Sequence, residues 1–155
     1  MKISVWLFLC GWMLLIIWFS AQPAIESKGM SGMVVQVLVD MLTTLLPGTL
    51  SAKEQHLLLQ NLHGLVRKMA HGFNYFVLGC LAYQAFRSPS RSRKKTWLVA
   101  AAMFFCVAFA VLDELHQVYV PGRSGELRDV VIDSGGALTG ILFSRVVDAV
   151  KGCKP

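Results

Sequence analysis

Four long apolar runs, separated by polar segments, set the pattern of this chain. The first run carries no charged residue over 17 positions. A helix that crosses a bilayer needs about 20 apolar residues, and each run approaches or reaches that length. The pattern predicts an all-α, polytopic membrane protein with four transmembrane helices. The predicted spans are about residues 3–19, 69–86, 97–118 and 130–147.

The first run has a second interpretation, a cleaved signal peptide. Lys2 precedes it, and FSAQPA at 19–24 offers small residues for cleavage. The apolar core of a signal peptide is usually about 7–15 residues long. This run is longer and contains three tryptophans, so a retained membrane anchor is the favoured interpretation.

Composition agrees with a membrane protein. Only 15% of the residues are charged, against about 25% in a soluble domain. The net charge of +6 could suggest a nucleic-acid partner. However, the densest basic run, Arg87–Lys95, is a short connector between two apolar runs, where basic residues act as a topology signal. We therefore expect no nucleic-acid partner. The four cysteines match no zinc motif.

Basic residues predict the orientation in the membrane. Nine lie at the N-terminus, in the basic loop 87–96 and at the C-terminal end, whereas six are spread over the longer segments on the other side. Basic residues concentrate on the cytoplasmic side of a membrane. We expect both termini and the basic loop in the cytoplasm of a bacterial cell, and residues 20–68 and 119–128 outside.

The outer segment 20–68 is predicted to be structured. Met33–Gly48 is apolar but shorter than a span and has polar breaks, which suits a helix lying in the membrane interface. Ser51 and Glu54 then form a capping-box pattern that opens a second helix. That helix either runs into the second span or bends near Gly64.

Ionisable residues converge on the outer ends of three predicted spans. In the second span Arg67, Lys68, His71 and Tyr75 fall along one stripe, with Asn74 beside them. In the third, Asp113, His116 and Gln117 are assigned to one face, with Glu114 about 100° around the helix. The fourth carries Asp129 and Asp133 in line with Gly136 and Gly140, a small-xxx-small pair that allows close helix approach.

This polar cluster has two interpretations. It could be a network of ion pairs that locks the helices together, or it could line a site open to the outer surface. Polar contacts between helices in membranes average only about 0.6 kcal/mol, and ionisable groups within spans are costly. The second interpretation is therefore favoured.

Five ordered motifs resemble the VanZ-like membrane proteins. They are FSAQP at 19–23, RKxxH at 67–71 followed by Tyr75, DExHQ at 113–117, PGRSG at 121–125 and DVxxD at 129–133. The resemblance covers almost the whole chain and implies a single VanZ-like membrane domain over residues 1–155. It further implies a small bacterial membrane protein of four helices, from a family whose founding member is linked to resistance to the glycopeptide teicoplanin. Many relatives carry Asn in place of Asp133, which implies an orienting role for this residue.

Two function classes fit the cluster. A binding or accessory protein would hold a lipid-linked or glycopeptide-type ligand and affect the envelope or glycopeptide resistance, with Arg123 as an anion clamp. The alternative is an intramembrane hydrolase or transferase acting on a lipid headgroup or a polyprenyl-phosphate-linked substrate. The candidate catalytic residues are His71, Asp113, Glu114 and His116, and the candidate ligand-binding residues are Arg67, Lys68, Tyr75, Gln117, Arg123, Asp129 and Asp133.

The expected partners are membrane lipids, lipid-linked cell-wall intermediates or a glycopeptide antibiotic. Two histidines with nearby carboxylates could hold Zn²⁺ or Mn²⁺, but no ligand spacing of a known metal motif is present and no metal site is predicted. The sequence leaves the cofactor, if any, open.

Overall fold

The computed structural model describes residues 2–45, 51–87 and 95–152 of the 155-residue chain. These residues form five helices and, within the described ranges, no strand, which confirms the all-α class. Most of the predicted basic loop 87–96 lies outside the described residues. The helices are α1 (Lys2–Ser20), α2 (Ala24–Leu45), α3 (Ala52–Phe86), α4 (Lys95–Gln117) and α5 (Leu127–Gly152).

Three helices are long and apolar enough to cross a membrane: α1 over Ile3–Ser20, α4 over Trp97–Gln117 and α5 over Leu127–Lys151. The other predicted span, 69–86, is helical and forms the second half of α3. Its mean hydropathy is too low for it to be counted among the helices that could cross a membrane. Its polar residues lower its hydropathy. Helix α3 packs against all four other helices. Within 69–86, Tyr75 and Tyr83 are buried, and His71 and Asn74 are half-buried.

The start of α3 is the predicted capping box. The Glu54 backbone N–H donates to Ser51 Oγ (3.4 Å), and the Ser51 backbone N–H donates to Glu54 Oε2 (2.7 Å). The Ser51 hydroxyl also donates to Glu54 Oε2 (2.7 Å). This bond and the one from the Ser51 backbone N–H lower the pKa of the exposed Glu54 carboxyl because they stabilise its charged form. The helix then continues through Gly64 to Phe86, so it runs into the predicted second span without interruption. Its 35 residues span about 52 Å.

The outer segment contains a longer helix than the sequence indicated. Helix α2 starts at Ala24, directly after Pro23, whereas the prediction began at Met33. The predicted end, 46–48, lies outside the described residues. Val35 and Val39 are buried where α2 packs on α3, while Met33 and Val37 are exposed. The helix thus has one apolar face against protein and another against the surroundings.

Helices α3 and α5 run in the same direction and touch through their backbones. An added Cβ at Gly136 would meet the carbonyl of Gly72, and one at Gly140 would meet the carbonyl of Phe76. Cys80 Sγ also donates to the Gly140 carbonyl (3.3 Å). The close approach predicted from Gly136 and Gly140 is confirmed, and it fixes the register of the two polar stripes above it.

The surface of the bundle is strongly apolar. Phe8 in α1 is 70% exposed, Phe104 in α4 is 78% exposed and Val146 in α5 is 60% exposed. Soluble monomers rarely expose apolar surface on this scale. At the end of the bundle away from the polar cluster, Arg87 Nη1 donates to Asp148 Oδ1 (2.7 Å) and ties α3 to α5.

Candidate functional site

A tight loop joins α4 to α5 and carries Arg123. Gly122 has a φ of +75°, which favours glycine, and an added Cβ there would contact Ala24 at 3.2 Å. The Ala24 backbone N–H donates to the carbonyl of Pro121 (3.3 Å), so the loop also contacts the start of α2. Glu114 Oε2 accepts from the backbone N–H of Glu126 (2.8 Å). Glu114 therefore positions the loop from within α4.

Buried hydrogen bonds join the end of α1 to the end of α4. Ser20 Oγ donates to Asp113 Oδ2 (2.8 Å), and Gln117 Nε2 donates to Ser20 Oγ (3.1 Å). Gln117 Nε2 also lies 3.3 Å from Asp113 Oδ2. All three side chains are buried. Sequence reasoning missed Ser20 as a site residue, although it ends the first apolar run within the FSAQP motif.

Polar side chains along α3 lie opposite acidic side chains along α5. His71 Nδ1 lies 3.5 Å from Oδ1 of the fully buried Asp133, within ion-pair distance but without a hydrogen bond. One turn earlier on both helices, Arg67 Nη2 lies 4.0 Å from Asp129 Oδ2. The two pairs repeat the four-residue spacing of each stripe, as expected for parallel helices held by the glycine contacts.

Arg123 reaches back from the loop to the end of α1. Its Nη2 donates to the carbonyl of Phe19 (3.3 Å). Burial lowers the pKa of Arg123, and the positive charge of Arg67 lowers it further. At neutral pH Arg123 remains charged.

Helices α1 to α4 and the loop that carries Arg123 line a pocket of about 270 Å³. Its polar wall combines two arginines with a histidine, an aspartate, a serine, an asparagine and a tyrosine, while its apolar wall comes from α1, α2 and α3. Val34 and Phe73 on the apolar side are 50% and 61% exposed. The lining residues are Ile16, Phe19, Ser20, Val34, Val66, Arg67, Ala70, His71, Phe73, Asn74, Tyr75, Asp113 and Arg123.

Several buried polar atoms of the cluster have no hydrogen-bond partner in the protein. Four of them belong to residues that line the pocket: Arg67 Nε, Arg123 Nε, Asp113 Oδ1 and Tyr75 Oη. More than about 90% of buried polar groups in proteins are hydrogen-bonded. A completed ion-pair network would leave fewer such atoms. The others in the cluster are Glu114 Oε1, Asp129 Oδ1, Asp133 Oδ1 and Asp133 Oδ2.

Five of the eleven residues proposed from sequence line the pocket: Arg67, His71, Tyr75, Asp113 and Arg123. Glu114, Gln117, Asp129 and Asp133 are buried in the same cluster without lining the pocket, whereas His116 and Lys68 are not buried and do not line it. The buried face of α4 carries Asp113, Glu114 and Gln117. His116 lies about 100° from the centre of that face, so its side chain is exposed. The expectation that it shares the face of Asp113 is wrong. Lys68 is only half-buried.

No group of three or more His, Cys, Asp or Glu side chains could hold a metal ion within the described ranges.

A family model described as VanZ/LLP1 matches residues 5–148 of the chain. Comparisons with curated proteins and with solved structures found no match.

Proposed function

The chain belongs to the VanZ/LLP1 family, and from this premise we propose that it is a four-span protein of the bacterial cytoplasmic membrane. Its outward-facing pocket binds the polar group of a lipid-linked or glycopeptide-type ligand, and this binding affects the envelope and glycopeptide (teicoplanin) resistance. The pocket with its partnerless buried polar atoms is the observation that carries the proposal.

The fourth span of this proposal is the second half of α3. A central helix that packs against four others can carry His71 and Asn74 within the bilayer because neighbouring helices, not lipid, surround its polar side. Helices α1, α4 and α5 are the remaining three spans. The first half of α3, together with α2, then covers the outer ends of the spans, with α2 in the interface.

The orientation follows from charge and from the position of the pocket. Basic residues favour the cytoplasm for the bundle end with Arg87 and Lys151. The polar cluster lies at the opposite end, where α1 and α4 end and α5 begins. In this orientation the pocket opens at the level of the outer leaflet.

The walls of the pocket fit a ligand with both a polar and an apolar part. Arg67, Arg123 and Asp113 supply charged groups on one wall. Phe19, Val34 and Phe73 form an apolar rim that is exposed on the bundle surface and would face lipid tails. A headgroup held by lipid tails can enter such a pocket sideways without leaving the membrane.

A triple variant tests this function. We expect His71→Ala, Asp113→Asn and Arg123→Ala together to return a glycopeptide-sensitive host to the teicoplanin sensitivity of cells without the protein, because all three side chains line the pocket. The measurement is the inhibitory concentration at matched protein levels in the membrane. His116→Ala is the control, since its side chain is exposed away from the pocket, and it should behave as wild type. Unchanged resistance in the triple variant would contradict the proposal.

One observation favours the alternative, an intramembrane hydrolase or transferase acting on a lipid headgroup or a polyprenyl-phosphate-linked substrate. His71 borders the pocket and its Nδ1 faces the buried Asp133 carboxylate at 3.5 Å. Such a pair orients an imidazole for general acid–base work through Nε2. Lipid mass spectrometry separates the two functions: a product that accumulates with wild-type protein and disappears with His71→Asn supports turnover, and an unchanged lipid profile supports binding alone.

A further inference from the structure

We infer that the pocket is selective for a phospholipid headgroup that carries both a phosphate and a primary ammonium group. This inference rests on the proposed function and narrows its ligand to an aminophospholipid. It follows from how the charged side chains of the pocket are held and from which of their atoms remain without a partner.

The two arginines are arranged alike. In each, Nη2 faces a protein oxygen: Arg67 Nη2 lies 4.0 Å from Asp129 Oδ2, and Arg123 Nη2 donates to the Phe19 carbonyl at 3.3 Å. In each, Nε is buried and has no partner. The guanidinium groups are thus oriented by the protein, and in each the Nε–H has no acceptor in the protein. Phosphate oxygens suit arginine donors because the charge-assisted bonds are short and strong.

The carboxylates make a simple anion a poor ligand. The cluster contains Asp113, Glu114, Asp129 and Asp133, all buried, against the two arginines and His71. Of these carboxylates, Asp113 lines the pocket together with the two arginines. A ligand that added only negative charge would lie beside this carboxylate in a region of low dielectric, where like charges repel strongly.

Asp113 is the carboxylate that borders the pocket. Its Oδ2 is occupied by Ser20 and Gln117, while Oδ1 is buried and has no partner. A primary ammonium can donate an N–H bond to this oxygen and to the partnerless hydroxyl oxygen of Tyr75, which borders the same pocket. A quaternary ammonium has no N–H and leaves both atoms without a hydrogen bond. Its binding free energy is less favourable because the desolvation of these two buried atoms is not compensated.

The apolar rim accounts for the rest of such a ligand. Phe19, Val34 and Phe73 come from three helices, are exposed and border the pocket beside the charged wall. Acyl chains of a phospholipid can lie along this rim while the headgroup enters. Asp113, the two arginines and the apolar rim together fit a zwitterionic phospholipid better than a free phosphate or a water-soluble amine.

Lipid competition tests the inference. Wild-type protein in detergent is titrated with phosphatidylethanolamine, phosphatidylglycerol and phosphatidylcholine of identical acyl chains, and binding is followed by native mass spectrometry. We expect phosphatidylethanolamine to bind about tenfold more tightly than either of the others. Asp113→Asn should abolish this preference. Asp40→Asn, an exposed carboxylate in α2, is the matched control and should keep it.

The variant Arg123→Gln distinguishes a failure of this inference from a failure of the proposed function. Arg123→Gln should weaken all three lipids, because each carries a phosphate. Equal affinities in the wild type, with a common loss in Arg123→Gln, would overturn the selectivity for ammonium and leave the lipid-binding function intact. No change with Arg123→Gln would overturn both. The wild-type preference decides the inference even where a variant fails to fold.

Discussion

Replacing Gly140 by alanine is expected to destabilise the bundle by about 3 kcal/mol, the upper range for overpacking a tight contact. The added Cβ would meet the carbonyl of Phe76 and the backbone nitrogen of Cys80. Backbone atoms of a packed helix cannot move aside as a flexible side chain does. Helices α3 and α5 must therefore separate, and the pairing of their polar stripes is lost with them. Thermal or SDS-induced unfolding in detergent measures the effect.

Gly135 provides the matched control because it lies on the same helix with nothing within 4 Å of an added Cβ. Gly135→Ala should leave stability unchanged or raise it by about 0.5–1 kcal/mol through its higher helix propensity. Equal stability of Gly140→Ala and Gly135→Ala would contradict the backbone contact between α3 and α5.

Cysteine labelling is expected to give an all-or-none difference between the two ends of the bundle. Ser124 lies exposed in the loop beside the pocket, and Lys151 lies exposed in the last turn of α5. In a cysteine-free background, Ser124→Cys should react with a membrane-impermeant maleimide on intact spheroplasts. Lys151→Cys should react only after the membrane is opened, because basic residues favour the cytoplasmic side.

The opposite pattern would reverse the orientation and turn the pocket toward the cytoplasm. Labelling of both positions in intact spheroplasts would contradict an odd number of crossings between them. A permeant maleimide serves as the control for reactivity, since both cysteines should react with it fully.

Features set by local sequence were predictable. The capping box of Ser51 and Glu54 depends on residues three positions apart, and it forms as expected. The contact at Gly136 and Gly140 depends on small residues at a helical spacing, and it also forms. The start of α2 was not predictable in this way. Polar residues between Ala24 and Met33 weakened the apolar pattern, although the helix begins directly after Pro23.

For the site, helical spacing could predict only which residues of one helix lie close together. Spacing grouped Asp113 with Gln117 correctly, but it assigned His116 to the same face because it could not fix the centre of the buried face of α4. That centre is set by how α4 packs against its neighbours. Ser20 was missed for a similar reason, since its bond to Asp113 joins residues 93 positions apart.

A structure determined in lipid nanodiscs with a bound antibody fragment would show whether the pocket holds a lipid polar group. We expect density for this group within hydrogen-bonding distance of Arg67 Nε, Arg123 Nε and Asp113 Oδ1, with the apolar part of the lipid along Phe73. A pocket closed by its own side chains, with each of these atoms bonded to protein and no lipid between α1 and α3, would contradict this expectation.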